Sequence, residues 1–119
     1  MSTFSATTFV SSGLSNPLSL AFDKNGNLFC ANYGDNTIVK ITPSGSVSTF
    51  ASSGINTPIN LAFDKKGNLF CVNYTNNTIV KITPGGTVST FVSSGLNGPV
   101  GLAFDRNGNL FCANYGDNT

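Results

Sequence analysis

Residues 17–33 read Pro-Leu-Ser-Leu-Ala-Phe-Asp-Lys-Asn-Gly-Asn-Leu-Phe-Cys-Ala-Asn-Tyr, and a near-copy of the stretch returns at 58–74 and again at 99–115. The interval is 41 residues each time, with no insertion or deletion. Residues 9–49 and 50–90 share 29 identities in 41 positions, and 9–37 shares 24 in 29 with 91–119. Similarity this high over a fixed period means that one supersecondary unit is repeated and that the fold must be read per unit.

Each unit divides into four short strands. Strand a, Leu18–Phe22, alternates Leu18, Leu20 and Phe22 on one face with Ser19 and Ala21 on the other. Asp23-Lys24-Asn25-Gly26-Asn27 follows, and its Asn-Gly pair favours positive φ and a tight hairpin. Strand b is 28–33 and Gly34-Asp35-Asn36 is a turn. Strand c, Thr37–Thr42, is rich in β-branched residues. Pro43-Ser44-Gly45 stops it, and strand d is 46–51. Strands b and c are apolar on both faces, so the sheet must be covered on both sides. No segment reads as a covering helix. Similar sheets stacked face to face solve the problem, and four strands in about 40–45 residues is the period of a propeller blade.

The run Asn-x-Pro, Leu-Ala-Phe-Asp-x-x-Gly-Asn-Leu-Phe, Asn-Tyr-x-x-Asn-Thr-Ile-x-Lys-Ile resembles the NHL repeat. Strand c with its Ile-Thr-Pro-x-Gly-x-Val-Ser-Thr-Phe tail also resembles the streptogramin-lyase type of propeller. The resemblance covers nearly the whole chain and implies an all-β fold of four-stranded antiparallel blades, about three per chain. The NHL pattern has Asp where Asn32, Asn73 and Asn114 stand, and Arg where Thr37, Thr78 and Thr119 stand.

The expected organisation is one three-blade segment over 1–119. It comprises a front strand d in 1–10, blades over about 14–53 and 55–94, and a partial blade over 96–119. Three blades do not close a ring, and their two end faces would remain apolar. NHL-like propellers most often have six blades, so the expected partner is a second copy, in a homodimer forming a six-bladed ring. Such contacts would bury roughly 2,000 Å² or more in total. The missing third strand c leaves a gap in two of six blades unless Met1 to Phe4 fill it.

Composition narrows the chemistry. Only 9% of residues are charged and the net charge is +1, so no long-range field draws in nucleic acid or an anionic membrane. Neither a basic leader nor an apolar run of membrane-spanning length is present, and the three cysteines recur one per unit. Equivalent cysteines in stacked sheets sit about 10 Å apart, beyond disulfide reach. Cys30, Cys71 and Cys112 are therefore expected as reduced, buried thiols, and the location as cytoplasmic.

The chain has no His, Glu or Gln, and its five acidic residues are all Asp. The streptogramin-lyase resemblance implies catalysis by His and Glu, and a lactonase-like propeller implies a metal held with Glu. Neither set is available, so no catalytic residue, metal or cofactor is expected. Asp23, Asp64 and Asp105 read as turn-formers accepting backbone N–H groups, not as a calcium loop. The b–c turns hold Asn32, Tyr33, Asp35 and Asn36, then Asn73, Tyr74, Asn76 and Asn77, then Asn114, Tyr115, Asp117 and Asn118. In a propeller these turns share a rim with the d–a loops. Two readings stand: a ring of amides and phenols binding a small polar ligand, protein or peptide, or Asn satisfying turn backbone while Tyr packs between blades. That rim has no Lys or Arg in its turns, which disfavours RNA. Lys24, Lys65, Lys66 and Arg106 fall at the opposite rim.

The function expected is a non-catalytic scaffold that self-assembles and binds. A lyase or lactonase-like enzyme is the alternative, and a designed or evolutionary fragment of a longer propeller is a third reading.

Overall fold

The structure is a computed structural model and describes residues 6–119. Ten strands form three antiparallel sheets. The first comprises β1 (Pro17–Phe22), β2 (Leu28–Asn32), β3 (Thr37–Ile41) and β4 (Val47–Ala51), hydrogen-bonded in chain order. The second repeats it as β5 (Pro58–Phe63), β6 (Leu69–Asn73), β7 (Thr78–Ile82) and β8 (Val88–Val92). The third has only β9 (Pro99–Phe104) and β10 (Leu110–Asn114). No described residue is helical.

The registers repeat as faithfully as the sequence. Phe29 opposes Ala21 and Lys40; 41 residues on, Phe70 opposes Ala62 and Lys81. A bulge beside Ile38 recurs beside Ile79 and turns the outer strand.

The a–b turn is built by its aspartate rather than by the Asn-Gly pair. The Gly26 N–H reaches the Asp23 carbonyl at 3.3 Å and the Asp23 N–H reaches the Asn27 carbonyl at 2.9 Å. Only Gly26 has positive φ, at 85°; Asn25 does not. This is a type I turn closed by a glycine bulge, in place of a two-residue turn with both central residues left-handed. The Asp23 Oδ1 accepts the N–H groups of Asn25 and Asn27, both at 2.9 Å, and Oδ2 accepts Asn27 Nδ2 at 3.0 Å.

Sheets stack face to face, as two-sided apolar strands require. Phe29, Ala31, Ile38 and Ala51 of the first sheet meet Leu61, Leu69, Cys71, Val80 and Ile82 of the second. Phe70, Val72 and Ile79 of the second meet Leu102, Phe104, Leu110 and Cys112 of the third. Each junction holds a Phe trio. Phe29 lies edge-on to Phe50 and Phe63, with centroids 4.9 and 5.1 Å away, and Phe70 lies likewise against Phe91 and Phe104.

The front strand d expected in 1–10 is not formed where the chain is described. Residues 6–10 join no ladder; Thr8, Phe9 and Val10 lie beside Leu20, Cys30 and Ile41 of the first sheet. Met1–Ser5, including the segment expected to fill the gap, lie outside the described residues.

Candidate functional site

The loop rim is organised around one asparagine per unit. Asn32 and Asn73 are wholly buried. The Asn32 Oδ1 accepts the Ser15 N–H at 3.2 Å; its Nδ2 donates to the Gly13 carbonyl and to Thr37 Oγ1, both at 3.3 Å. Asn73 repeats this with Asn56, Gly54 and Thr78 at 3.0, 2.9 and 3.4 Å. Asn114 makes the set with Asn97, Gly95 and Thr119. A buried amide with both ends partnered clamps the d–a loop to the b–c turn.

Asn36 and Asn77 tie one blade to the next. Both have positive φ, 59° and 55°, a backbone that asparagine tolerates. The Asn36 Oδ1 accepts the Thr57 N–H at 2.8 Å, and the Asn77 Oδ1 accepts the Gly98 N–H at 3.0 Å. Asn118 has the same backbone at φ 62°. Asp35, Asn76 and Asp117 accept the hydroxyls of Thr37, Thr78 and Thr119 at 2.6, 2.7 and 2.6 Å.

Of the twelve rim residues, the structure thus gives Asn32 and Asn73 to the interior and Asn36 and Asn77 to the blade–blade seam. The side chains left facing outward are Tyr33, Tyr74 and Tyr115, with Asp35, Asn76 and Asp117 beside them and Asn118 at the end; Asn114 is half-buried. The Tyr74 ring sits near the next unit, where a Cβ on Gly98 would lie 3.7 Å from it.

Where the NHL pattern has Asp and Arg, this chain has Asn and Thr, and those residues touch in all three units. Each unit closes this contact with an amide–hydroxyl pair.

Burial pushes all three thiols upward, Cys71 to about 12. No disulfide joins them. Among the described residues no three of His, Cys, Asp and Glu come together to hold a metal, and no helix is long and apolar enough to cross a membrane.

The two end faces stand out. Phe29 and Phe70 are 3% exposed, whereas the equivalent Phe111 is 60% exposed. Leu61 is 6% exposed and its equivalent Leu20 is 61%. Leu18 and Phe22 extend the Leu20 patch.

These sheets are β-propeller blades. The sequence matches no family profile and no curated protein, but the fold matches solved structures. A nidogen/laminin complex aligns over 90% of this chain with TM-score 0.81 at 19% identity. A gluconolactonase from Xanthomonas campestris aligns over 85% with TM-score 0.76 at 16% identity. Virginiamycin B lyase from Staphylococcus aureus aligns over 81% with TM-score 0.71 at 17% identity. The chain spans 43%, 35% and 33% of those chains respectively, less than half of each. The neighbours include enzymes, and at these identities the likeness is one of fold.

Sequence reasoning missed a second pair of features. On the rim opposite the Asn-Tyr turns, a cleft opens at each blade–blade junction, lined by the Phe trios and by Lys40 or Lys81. The lysine in the otherwise apolar Thr-Ile-Val-Lys-Ile strand was the available signal.

Proposed function

We propose that this chain is a non-catalytic propeller segment that assembles with a second copy through its end faces and uses the outward rim for binding. The carrying observation is the contrast between Phe111 and its buried equivalents. The repeat supplies the complement: the face bearing Phe111 on the third blade corresponds to the face by which blades one and two meet their neighbours. The face bearing Leu20 and Phe22 corresponds to the Leu61 and Phe63 face that receives Phe29. Docking Phe111 of one copy on Phe22 of another reproduces the Phe29–Phe63 contact. Two such head-to-tail contacts close a ring of six blades.

The binding surface in this reading is the rim of Tyr33, Tyr74 and Tyr115 with Asp35, Asn76 and Asp117. Phenols with adjacent acceptors suit a peptide or a small polar ligand. The absence of His and Glu from the sequence supports binding over acid–base catalysis.

Substituting Phe111→Glu puts an unpaired charge into the proposed contact. The variant should elute as a monomer where the parent elutes as a dimer, with unchanged far-ultraviolet circular dichroism. An unchanged dimer in the variant would refute assembly through this face.

A further inference from the structure

The geometry points to the clefts on the a–b rim as binding sites for a small ligand that joins a planar apolar ring to a single anionic group, an aryl carboxylate. This goes beyond the assembly and the Asn-Tyr rim. The first cleft, between blades one and two, encloses about 570 Å³; the second, between blades two and three, is wider at about 1090 Å³.

Three observations carry the assignment. The first is the floor: Phe29, Phe50 and Phe63 in one cleft and Phe70, Phe91 and Phe104 in the other, each trio edge-on at 4.9 and 5.1 Å. Phe29 and Phe70 are themselves buried, so the rings open to a ligand are the half-buried Phe50 and Phe63 in one cleft and the exposed Phe91 and half-buried Phe104 in the other, and such rings accept a further aromatic ring edge to face.

The second is the charge. The ionisable groups lining the first cleft are Lys24, Lys40, Lys65 and Lys66 against Asp23 and Asp64. Those lining the second are Lys65, Lys66, Lys81 and Arg106 against Asp64 and Asp105. Each cleft therefore has four cations and two carboxylates. The carboxylates are committed to their own turns: Asp64 accepts Lys66 N–H and Asn68 N–H at 2.9 Å and Asn68 Nδ2 at 3.0 Å, as Asp23 does in its turn. Lys65 bridges to the Arg106 carbonyl. Among the described residues the Lys40 and Lys81 ammonium groups make no side-chain hydrogen bond; each acts on its neighbouring carboxylate, Asp23 or Asp64, through charge alone.

The third is placement. Lys40 stands directly opposite Phe29 and Lys81 directly opposite Phe70, so each half-buried lysine lies beside an aromatic floor. A lysine there could merely cover the ring with its stem; a ligand-binding lysine makes its charge matter to affinity. The same constellation stands at two junctions, and the first lies between two complete blades.

The test is a titration of the intact protein followed by amide proton–nitrogen correlation spectra, with 2-naphthoate as probe and 2-naphthylmethanol as the uncharged control. Saturable shifts are expected at residues 23–29, 40 and 63–67 and at their equivalents. Naphthoate should bind about fivefold or more tighter than the alcohol, and added salt should narrow that gap. The K40Q/K81Q variant should abolish the preference. Equal affinities for the two probes, shifts centred on Leu18, Leu20 and Phe111, or an unchanged preference in K40Q/K81Q would each overturn the inference. Should that variant not fold, the comparison of probes and the shift map on the unaltered protein decide.

Discussion

Asn73→Ala tests the rim clamp. The side chain is wholly buried and makes three hydrogen bonds, to Asn56 N–H, the Gly54 carbonyl and Thr78 Oγ1. Each bond is worth about 1 kcal/mol net. The partners are half-buried or exposed, so water replaces part of what is lost, and the expected cost is about 2–3 kcal/mol. Urea unfolding at fixed protein concentration measures it, with Asn25→Ala, an exposed turn residue, as the control near zero. A second variant sharpens the reasoning. Asn73→Asp places a carboxylate oxygen where Nδ2 now meets the Gly54 carbonyl, so it should cost at least as much as alanine. Adding Thr78→Arg supplies a cation opposite that carboxylate and should recover about 1 kcal/mol or more in a double-mutant cycle. A loss below about 1 kcal/mol for Asn73→Ala, or no coupling between positions 73 and 78, would refute the view that this asparagine holds the rim.

Three further outcomes follow from the same structure. Thr57 is a β-branched residue at φ 51°, where the first unit has Asn16 and the third Gly98; Thr57→Asn should stabilise the fold by roughly 0.5–1 kcal/mol, read as a higher urea midpoint. Burial raises Asp23 and Asp64, but the hydrogen bonds from Asn27 and Asn25, and from Asn68 and Lys66, outweigh it and hold both below the ordinary carboxylate value; Asn109 does the same for Asp105. A lowered folded value means that this stability is fully present above about pH 4 and is lost as pH falls through the folded values, so thermal midpoints should drop on acidification there and Asp64→Asn should flatten the drop. Cys71, buried and pushed up to about 12, should resist a thiol reagent at pH 8 under native conditions and react only after unfolding, whereas the half-buried Cys112 should react first.

Much of the fold was legible because the repeat turns one reading into three. The alternation in Leu18–Phe22, the β-branched run at Thr37 and the two-sided apolar character of Leu28–Asn32 each name a strand and require stacking. The segment before the first unit matches strand d in sequence, but a strand needs a ladder partner, and the described residues 6–10 have none. The a–b turn was placed correctly while its type was set by Asp23, whose carboxylate takes three donors, rather than by Asn-Gly. The rim asparagines look alike in sequence, yet Asn32 is interior, Asn36 bridges blades and Asn76 caps a threonine. Only the path of the d–a loop, brought back over 17 to 19 residues, separates those roles. The clefts were hidden because a lysine in a strand reads as solvent-facing until its position opposite Phe29 or Phe70 is known.

In the proposed assembly the exposed faces bearing Phe111 and Leu20 meet each other in a second copy. Equilibrium sedimentation at micromolar concentration tests it most directly. A single species of twice the 12.4 kDa chain mass is expected; a stable monomer of 12.4 kDa would rule this assembly out.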